Sequence, residues 1–188
     1  MIDRRSLLAT GFAALAAPAL IPARANAFTL DPKFAPQDVR FAGAYGPGHL
    51  VVVPRAHFLY FVTAPGVARR YGVGVGRAGL EFTGNATIDV KKKWPTWRPT
   101  KEMIERDPRA YSKFIDNDYV QPGGPGNPLG SRALYLFQNG RDTYYRIHGT
   151  TEPQSVGRSV SNGCIRMINE HAQDLYERVP IGTVVTVL

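Results

Sequence analysis

Asn139-Gly140 sits between two β-rich runs, 132–137 and 143–147. Asn and Gly tolerate the positive φ angles that a two-residue hairpin turn requires. Between apolar, β-branched and aromatic runs this dipeptide is the strongest short-range signal for a hairpin. A hairpin specified this firmly demands a sheet to join. It also fixes where its second strand ends, at His148, with Gly149 immediately after. From there the chain passes through a Gly- and Ser-rich loop and arrives at Ser161-Asn162-Gly163-Cys164-Ile165-Arg166, which holds the only cysteine of the sequence.

The rest of the chain reads as partners for that hairpin. Strand signals fall at 39–45, 50–53 and 58–62, with turns at Gly46-Pro47-Gly48 and Ala64-Pro65-Gly66. Over 71–76, Tyr71, Val73 and Val75 alternate with Gly72, Gly74 and Gly76, so one strand face is almost bare and another segment can pack close to its backbone. Residues 77–130 carry few strand signals. They hold a basic run at 91–93, Trp94-Pro95-Thr96-Trp97, a short helix over 100–107 capped by Thr100, and a Gly- and Pro-rich stretch at 121–130. An irregular region of this length in a compact domain points to a cover over a site, with a plain surface insertion as the alternative. A helix is expected from Asn169, as its cap, to Val179, with Pro180 as its stop and a last strand over 183–188.

The first 27 residues do not belong to that core. An Arg4-Arg5 pair, an Ala-rich apolar run and small-x-small patterns at 23–27 form the three parts of an export signal, with a twin-arginine character. The apolar run is shorter than the roughly 20 residues of a spanning helix. The expected organisation is therefore a signal at 1–27 and one domain at 28–188, exported to the periplasm or cell envelope. The chain carries +8 formally; Arg4, Arg5 and Arg24 against Asp3 remove +2 and leave +6 for 28–188. That balance suits an anionic surface such as a cell wall, and export makes nucleic acid a poor partner. A single cysteine forms no internal disulfide, so it is buried and inert, paired between chains, or reactive.

The surroundings of Cys164 favour reactivity. A thiol becomes a strong nucleophile when an oriented imidazole takes its proton, and His148 lies on the same loop system. Gly163 lets the backbone turn N–H groups inward, and adjacent N–H groups beside a nucleophile make an oxyanion hole. Arg166 fits two readings equally: a bidentate partner for a substrate carboxylate, or a surface salt bridge. His49, His57 and His171 read as structural or surface residues. No close cluster of His, Cys and Asp has the spacing of metal ligands, so no metal and no organic cofactor is expected.

These residues resemble a known family. His148-Gly149-Thr150 followed by Ser161-Asn162-Gly163-Cys164-Ile165-Arg166 is similar to the signature of the L,D-transpeptidases of the YkuD family. The similarity extends over the early strands, the Gly-rich run at 72–76, Trp94-Pro95-Thr96-Trp97, 126–130 and the closing helix and strand. Many members carry His where this chain has Asn162, so no catalytic role is expected of that position. The resemblance implies a mostly β, YkuD-like sandwich or barrel of mixed strands with a few short helices and a long covering loop region. It implies a cysteine acyltransferase acting on peptidoglycan stem peptides. Cys164 would be the nucleophile and His148 the base. The Gly149 carbonyl would hold the imidazole tautomer, and the Gly163 and Cys164 N–H groups would form the oxyanion hole. Arg166, Ser161 and Trp97 would meet substrate. The acyl acceptor stays open: an amine of a second stem, water, a free D-amino acid, or an outer-membrane or wall-linked protein. A wall-binding module with a dead site is the non-enzymatic alternative. A papain-type protease is disfavoured, because its Cys precedes its His in the chain.

Overall fold

The computed structural model describes residues 28–188. The signal expected at 1–27 lies outside the described residues. Among the described residues, eleven strands and two α-helices are formed: β1 (Gln37–Arg40), β2 (Leu50–Val53), β3 (Phe58–Ala64), β4 (Val67–Gly72), β5 (Val75–Gly76), β6 (Gly84–Lys93), α1 (Lys101–Arg106), β7 (Arg132–Gln138), β8 (Arg141–His148), β9 (Ser159–Ser161), β10 (Ile165–Arg166), α2 (Asn169–Arg178) and β11 (Val184–Val187). Nine strands make one mixed sheet in the order β1-β4-β3-β2-β11-β6-β7-β8-β10, and β5 pairs with β9 separately. The β11–β2 and β10–β8 pairs are parallel, so the chain after the helix closes the middle of the sheet and the segment after Cys164 closes its end.

The fold is mostly β, as the sequence implies. The core gathers Leu50, Val52, Leu59, Tyr71, Val73, Ile88, Leu136, Ile147, Met167 and Leu175, all essentially inaccessible. Alternation places these side chains on the core face. α2 covers β7 and β8 with Ala172, Leu175 and Tyr176. Under α2 a polar network is fully paired: Asp174 accepts from the Tyr71 hydroxyl at 2.7 Å, Arg69 Nε at 2.8 Å and Arg178 Nε at 2.8 Å. Among the described residues, no helix is long and apolar enough to cross a membrane.

Three local expectations need correction. The first strand covers Gln37–Arg40, ahead of most of the expected 39–45. The region after Gly76 is not poor in strands. β6 is the longest strand, pairs with both β11 and β7, and alternates buried Ala86 and Ile88 with less buried Thr87 and Asp89. Its Lys91 is no simple surface charge: the ammonium donates to the Tyr176 and Val179 carbonyls at 2.6 Å each and satisfies the C-terminal end of α2. Finally, Asn169 does not cap α2 with its side chain. Its Oδ1 accepts from the Ser131 N–H at 3.0 Å and its Nδ2 donates to the Thr150 carbonyl at 3.2 Å, tying the start of β7 to the loop after His148. The covering region is thus residues 94–131, shorter than expected.

Candidate active site

The hairpin forms as its turn residues require, with Asn139 at φ 53° and Gly140 at φ 72°. β8 carries an irregularity. Tyr135 pairs with Arg146 and Phe137 with Asp142, so residues 143–145 stand opposite Leu136 alone. The extra length is taken up at Tyr144, which is left-handed at φ 62° and 68% exposed. Asp142 Oδ1 accepts the Tyr144 N–H at 2.8 Å and holds the bulge. The Tyr144 carbonyl then lies 3.9 Å from Cys164 Sγ, within reach of the thiol proton.

β8 and β10 run parallel with Ile147 beside Ile165 and His148 beside Arg166, and the Met167 N–H donates to the His148 carbonyl at 2.8 Å. This register sets Cys164, one residue before β10, alongside the end of the hairpin. Cys164 and His148 line one cavity of about 600 Å³, together with Arg166, Ser161, Trp97 and Asn162.

His148 is buried, and its Nδ1 lies 2.5 Å from the Gly149 carbonyl. With the proton donated there, the second ring nitrogen is left as the basic one. Burial pushes the imidazole down to about 4, with the Gly149 carbonyl pulling upward and the Arg166 and Arg146 charges downward. His148 is therefore neutral at pH 7 and able to accept a proton. Gly149 has no room for a side chain: a Cβ would stand 2.2 Å from Asn169 Oδ1.

Cys164 is half-buried. Burial raises its thiol above the ordinary value; a backbone hydrogen bond at Arg146 and the charges of Arg146 and Arg166 favour the thiolate but do not win. The resting pair is thus a thiol and a neutral imidazole.

The loop ahead of Cys164 is held by Ser161, which is 1% exposed. Its hydroxyl donates to the Cys164 carbonyl at 2.6 Å and accepts the Gly163 N–H at 3.1 Å. Two expectations change here. The Gly163 N–H is engaged by Ser161 and is not a free oxyanion donor, whereas the Cys164 N–H has no acceptor among the described residues. Ser161, expected to meet substrate, has its hydroxyl committed to shaping the turn. Gly163 itself is required by space and by a φ of 119°: a Cβ would meet the Tyr145 ring at 2.4 Å and the Leu80 carbonyl at 2.5 Å. The bare face of the Gly-rich strand serves the same loop, since a Cβ on Gly76 would stand 2.9 Å from the Gly163 Cα.

Arg166 donates to Glu152 at 2.5 Å, with both residues on the cavity wall. Of its two readings, the salt bridge is the one formed here. Trp97 packs edge-on against Phe114 at 5.2 Å between ring centroids and bridges to Gln121, so it is a wall of the cover facing the cavity. His49 and His57 bond Thr186 and Ser159, and neither lines the cavity; nor does His171.

Several residues around the site have no local sequence signal. Arg98 donates to the carbonyls of Tyr119, Phe114 and Asn117 at 2.5, 2.9 and 2.5 Å and gathers the cover into one piece. Arg146 is clamped by both Asp142 oxygens at 2.6 and 2.8 Å. Only the folded register shows these partners.

A family model described as "L,D-transpeptidase catalytic domain" (YkuD) matches residues 47–187. An Escherichia coli protein named "Probable L,D-transpeptidase ErfK/SrfK" is 33% identical over 156 residues. That match takes in 81% of this chain and 47% of the relative, so the chain spans about half the length of the curated protein it matches. The structure of L,D-transpeptidase 3 from Mycobacterium tuberculosis superimposes with a TM-score of 0.53 at 19% identity, over 74% of this chain and 60% of that one, a likeness of fold.

A Brucella melitensis structure described as a "Probable carnitine operon oxidoreductase caia" is 60% identical, with a TM-score of 0.56 over 85% of this chain and 96% of that one. Its description points to redox chemistry, and Gly74-Val75-Gly76-Arg77-Ala78-Gly79 does have the spacing of a dinucleotide fingerprint. The setting does not fit. No helix follows, since the chain turns into β6, and the space over Gly74 is filled by the Ser155 carbonyl, 2.4 Å from where a Cβ would be. A pyrophosphate has neither a helix N-terminus nor an open backbone to approach.

Proposed function

Because the chain belongs to the family of L,D-transpeptidase catalytic domains, we propose that it cross-links or modifies peptidoglycan by acyl transfer through Cys164. Among the observations that support this reading, the placement of His148 and Cys164 carries most weight. A neutral imidazole, oriented through its Nδ1 by Gly149, shares one cavity with a thiol beside an unengaged N–H.

In the first step His148 takes the Cys164 proton as Sγ attacks the carbonyl before the terminal D-Ala of a tetrapeptide stem. The new C–S bond makes a tetrahedral oxyanion, and the Cys164 N–H, which has no acceptor among the described residues, is the donor free to meet it. His148 returns the proton to the departing amine, D-Ala leaves, and a thioester remains. In the second step an amine gives its proton to His148, attacks the thioester and restores the thiol, leaving a new amide. Because burial keeps His148 neutral, each proton is taken up only as the C–S or C–N bond forms. The cover around Trp97 limits competition by water. Gly163 supports the turn rather than the oxyanion, and Arg166, held by Glu152 at rest, exchanges that partner for a substrate carboxylate. The setting is the cell envelope, with peptidoglycan stem peptides as substrates and no metal or organic cofactor in the steps.

The test is incubation with a tetrapeptide stem, followed by intact-protein mass. A thioester adduct on the unaltered chain and none on Cys164→Ala is the expected outcome; turnover retained without the thiol would sink the proposal. Adding an amine acceptor, water alone, or a protein acceptor then separates transpeptidase, carboxypeptidase and protein ligase by product mass.

A further inference from the structure

Two guanidiniums meet at one neutral atom beside the nucleophile. Asn162 Oδ1 accepts from Arg77 Nη2 at 2.9 Å and from Arg106 Nη1 at 3.3 Å. The amide is oriented by its other end, where Nδ2 donates to the Tyr111 hydroxyl at 3.0 Å. Neither arginine forms an ion pair among the described residues. Glu102, one helical turn before Arg106, feels that charge but does not reach contact with it.

Both arginines are exposed, so water screens part of their repulsion, but the clasp leaves both charges without a carboxylate partner. Two like charges repel, and a carboxamide oxygen offsets them with a partial charge only. Charge-assisted pairs of guanidinium with carboxylate are roughly twice as strong as neutral hydrogen bonds. The arginines come from different elements, Arg77 from the turn after β5 and Arg106 from the end of α1. Arg77 is also positioned through its backbone, whose N–H donates to the Ser161 carbonyl at 3.1 Å. Arg106, Asn162 and Tyr111 line the cavity that contains Cys164, and Asn162 is two residues before it. Arg77 stands outside that lining and meets the cavity through its bond to Asn162, so an anion that replaced the amide oxygen would enter the cavity wall two residues before the nucleophile.

We propose that Arg77 and Arg106 form a carboxylate subsite for the acyl donor, with Asn162 Oδ1 holding the two guanidiniums until a substrate carboxylate replaces it. The ligand is a peptide whose residue at the acylated position carries a free side-chain carboxylate, as a diamino diacid does. This specificity rests on the acyl-transfer reading above. It also gives Asn162 a positioning role that does not depend on a second imidazole in the motif.

The experiment compares two stem tetrapeptides that differ in that one group, free carboxylate against carboxamide, and measures kcat/KM for acylation of Cys164. The expected preference for the free acid is about tenfold or more, the scale of a lost charged hydrogen bond. The ratio should fall toward one in Arg77→Gln and Arg106→Gln. It should fall also in Asn162→Asp, whose own carboxylate fills the subsite. A clasp with no substrate role predicts the opposite for Asn162→Asp, a tighter cover and an unchanged ratio. Equal rates for the two peptides on the unaltered protein, or a ratio retained in all three variants, overturns the subsite alone. Failure of both peptides to acylate the unaltered protein overturns the acyl-transfer reading and the subsite with it.

Discussion

The carbonyl oxygen of Tyr144 lies 3.9 Å from the sulfur of Cys164, and it is turned that way because Tyr144 is left-handed in the middle of a strand. An L-residue at φ 62° costs about 1–2 kcal/mol, least for Asn and most for a β-branched side chain. Tyr144 is largely exposed, so its ring contributes little to the core. Tyr144→Asn is expected to leave the urea midpoint close to that of the unaltered chain. Tyr144→Val should lower stability by roughly 1–2 kcal/mol and slow alkylation of Cys164 as the bulge relaxes. Equal stability of the two variants would show that the bulge stores no such strain.

The pH behaviour follows from burial of both partners. His148 is held down to about 4 and the Cys164 thiol is raised, so no thiolate–imidazolium pair exists near neutrality. Alkylation of Cys164 by iodoacetamide should rise steadily with pH beyond 8, with no plateau between 5 and 8. Such a plateau would reveal a preformed ion pair and refute the neutral resting state. Stability carries the same signature. Imidazole in the unfolded chain titrates near 6.5, well above its folded value of about 4. The unfolded state therefore takes up the proton first as pH falls. The contribution is complete above 6.5 and is lost on the way down to about 4, by roughly 3 kcal/mol. In His148→Gln that part of the acid limb of the urea midpoint should flatten.

Gly163 tests how closely the loop before Cys164 is packed. A methyl group there would enter the Tyr145 ring and the Leu80 carbonyl at the same time, at a φ that side chains rarely adopt. Gly163→Ala is expected to destabilise by about 2–3 kcal/mol, as overpacking and backbone strain add. Acylation should fall by about a hundredfold or more, the scale of misplacing a reacting group by an ångström. Gly79→Ala is the control. It also has positive φ, 81°, but open space around it. It should pay only the backbone strain and keep its activity.

What could be read from the chain and what could not divides by sequence distance. The Asn139-Gly140 turn, the Thr100 cap and the bare face at Gly72, Gly74 and Gly76 are local chemistry, and each stands where the residues put it. His148 and Cys164 could be paired on paper because a strand end and a Gly-rich loop leave few alternatives. β6 was obscured because its last turns of alternation are lysines. The use of Lys91 emerges only when α2, 85 residues on, presents its free carbonyls. The same holds for Ser161: its hydroxyl looks available in a loop, but the fold gives it the Gly163 N–H and the Cys164 carbonyl. The Tyr144 bulge, the Arg166–Glu152 pair and the arginines at Asn162 depend on registers between strands and on the cover, which no periodicity encodes.

Arg98 is where the cover is most vulnerable. One guanidinium donates to three main-chain carbonyls, those of Phe114, Asn117 and Tyr119, in a segment that has little regular structure to satisfy them. A lysine has a single nitrogen and cannot meet three acceptors from the fork-shaped geometry they match. Both Arg98→Lys and Arg98→Ala should therefore loosen residues 114–121, read as faster amide hydrogen exchange there and as earlier tryptic cleavage after Lys113. The sheet should be unaffected, because Arg98 lies outside it, and protection in β7 and β8 should not change. A looser cover admits water to the thioester. In the presence of an amine acceptor, the ratio of hydrolysed to transferred product should rise several-fold in Arg98→Ala, while the initial rate of Cys164 alkylation stays within about twofold. An unchanged product ratio with increased exchange would separate the order of the cover from its role in excluding water.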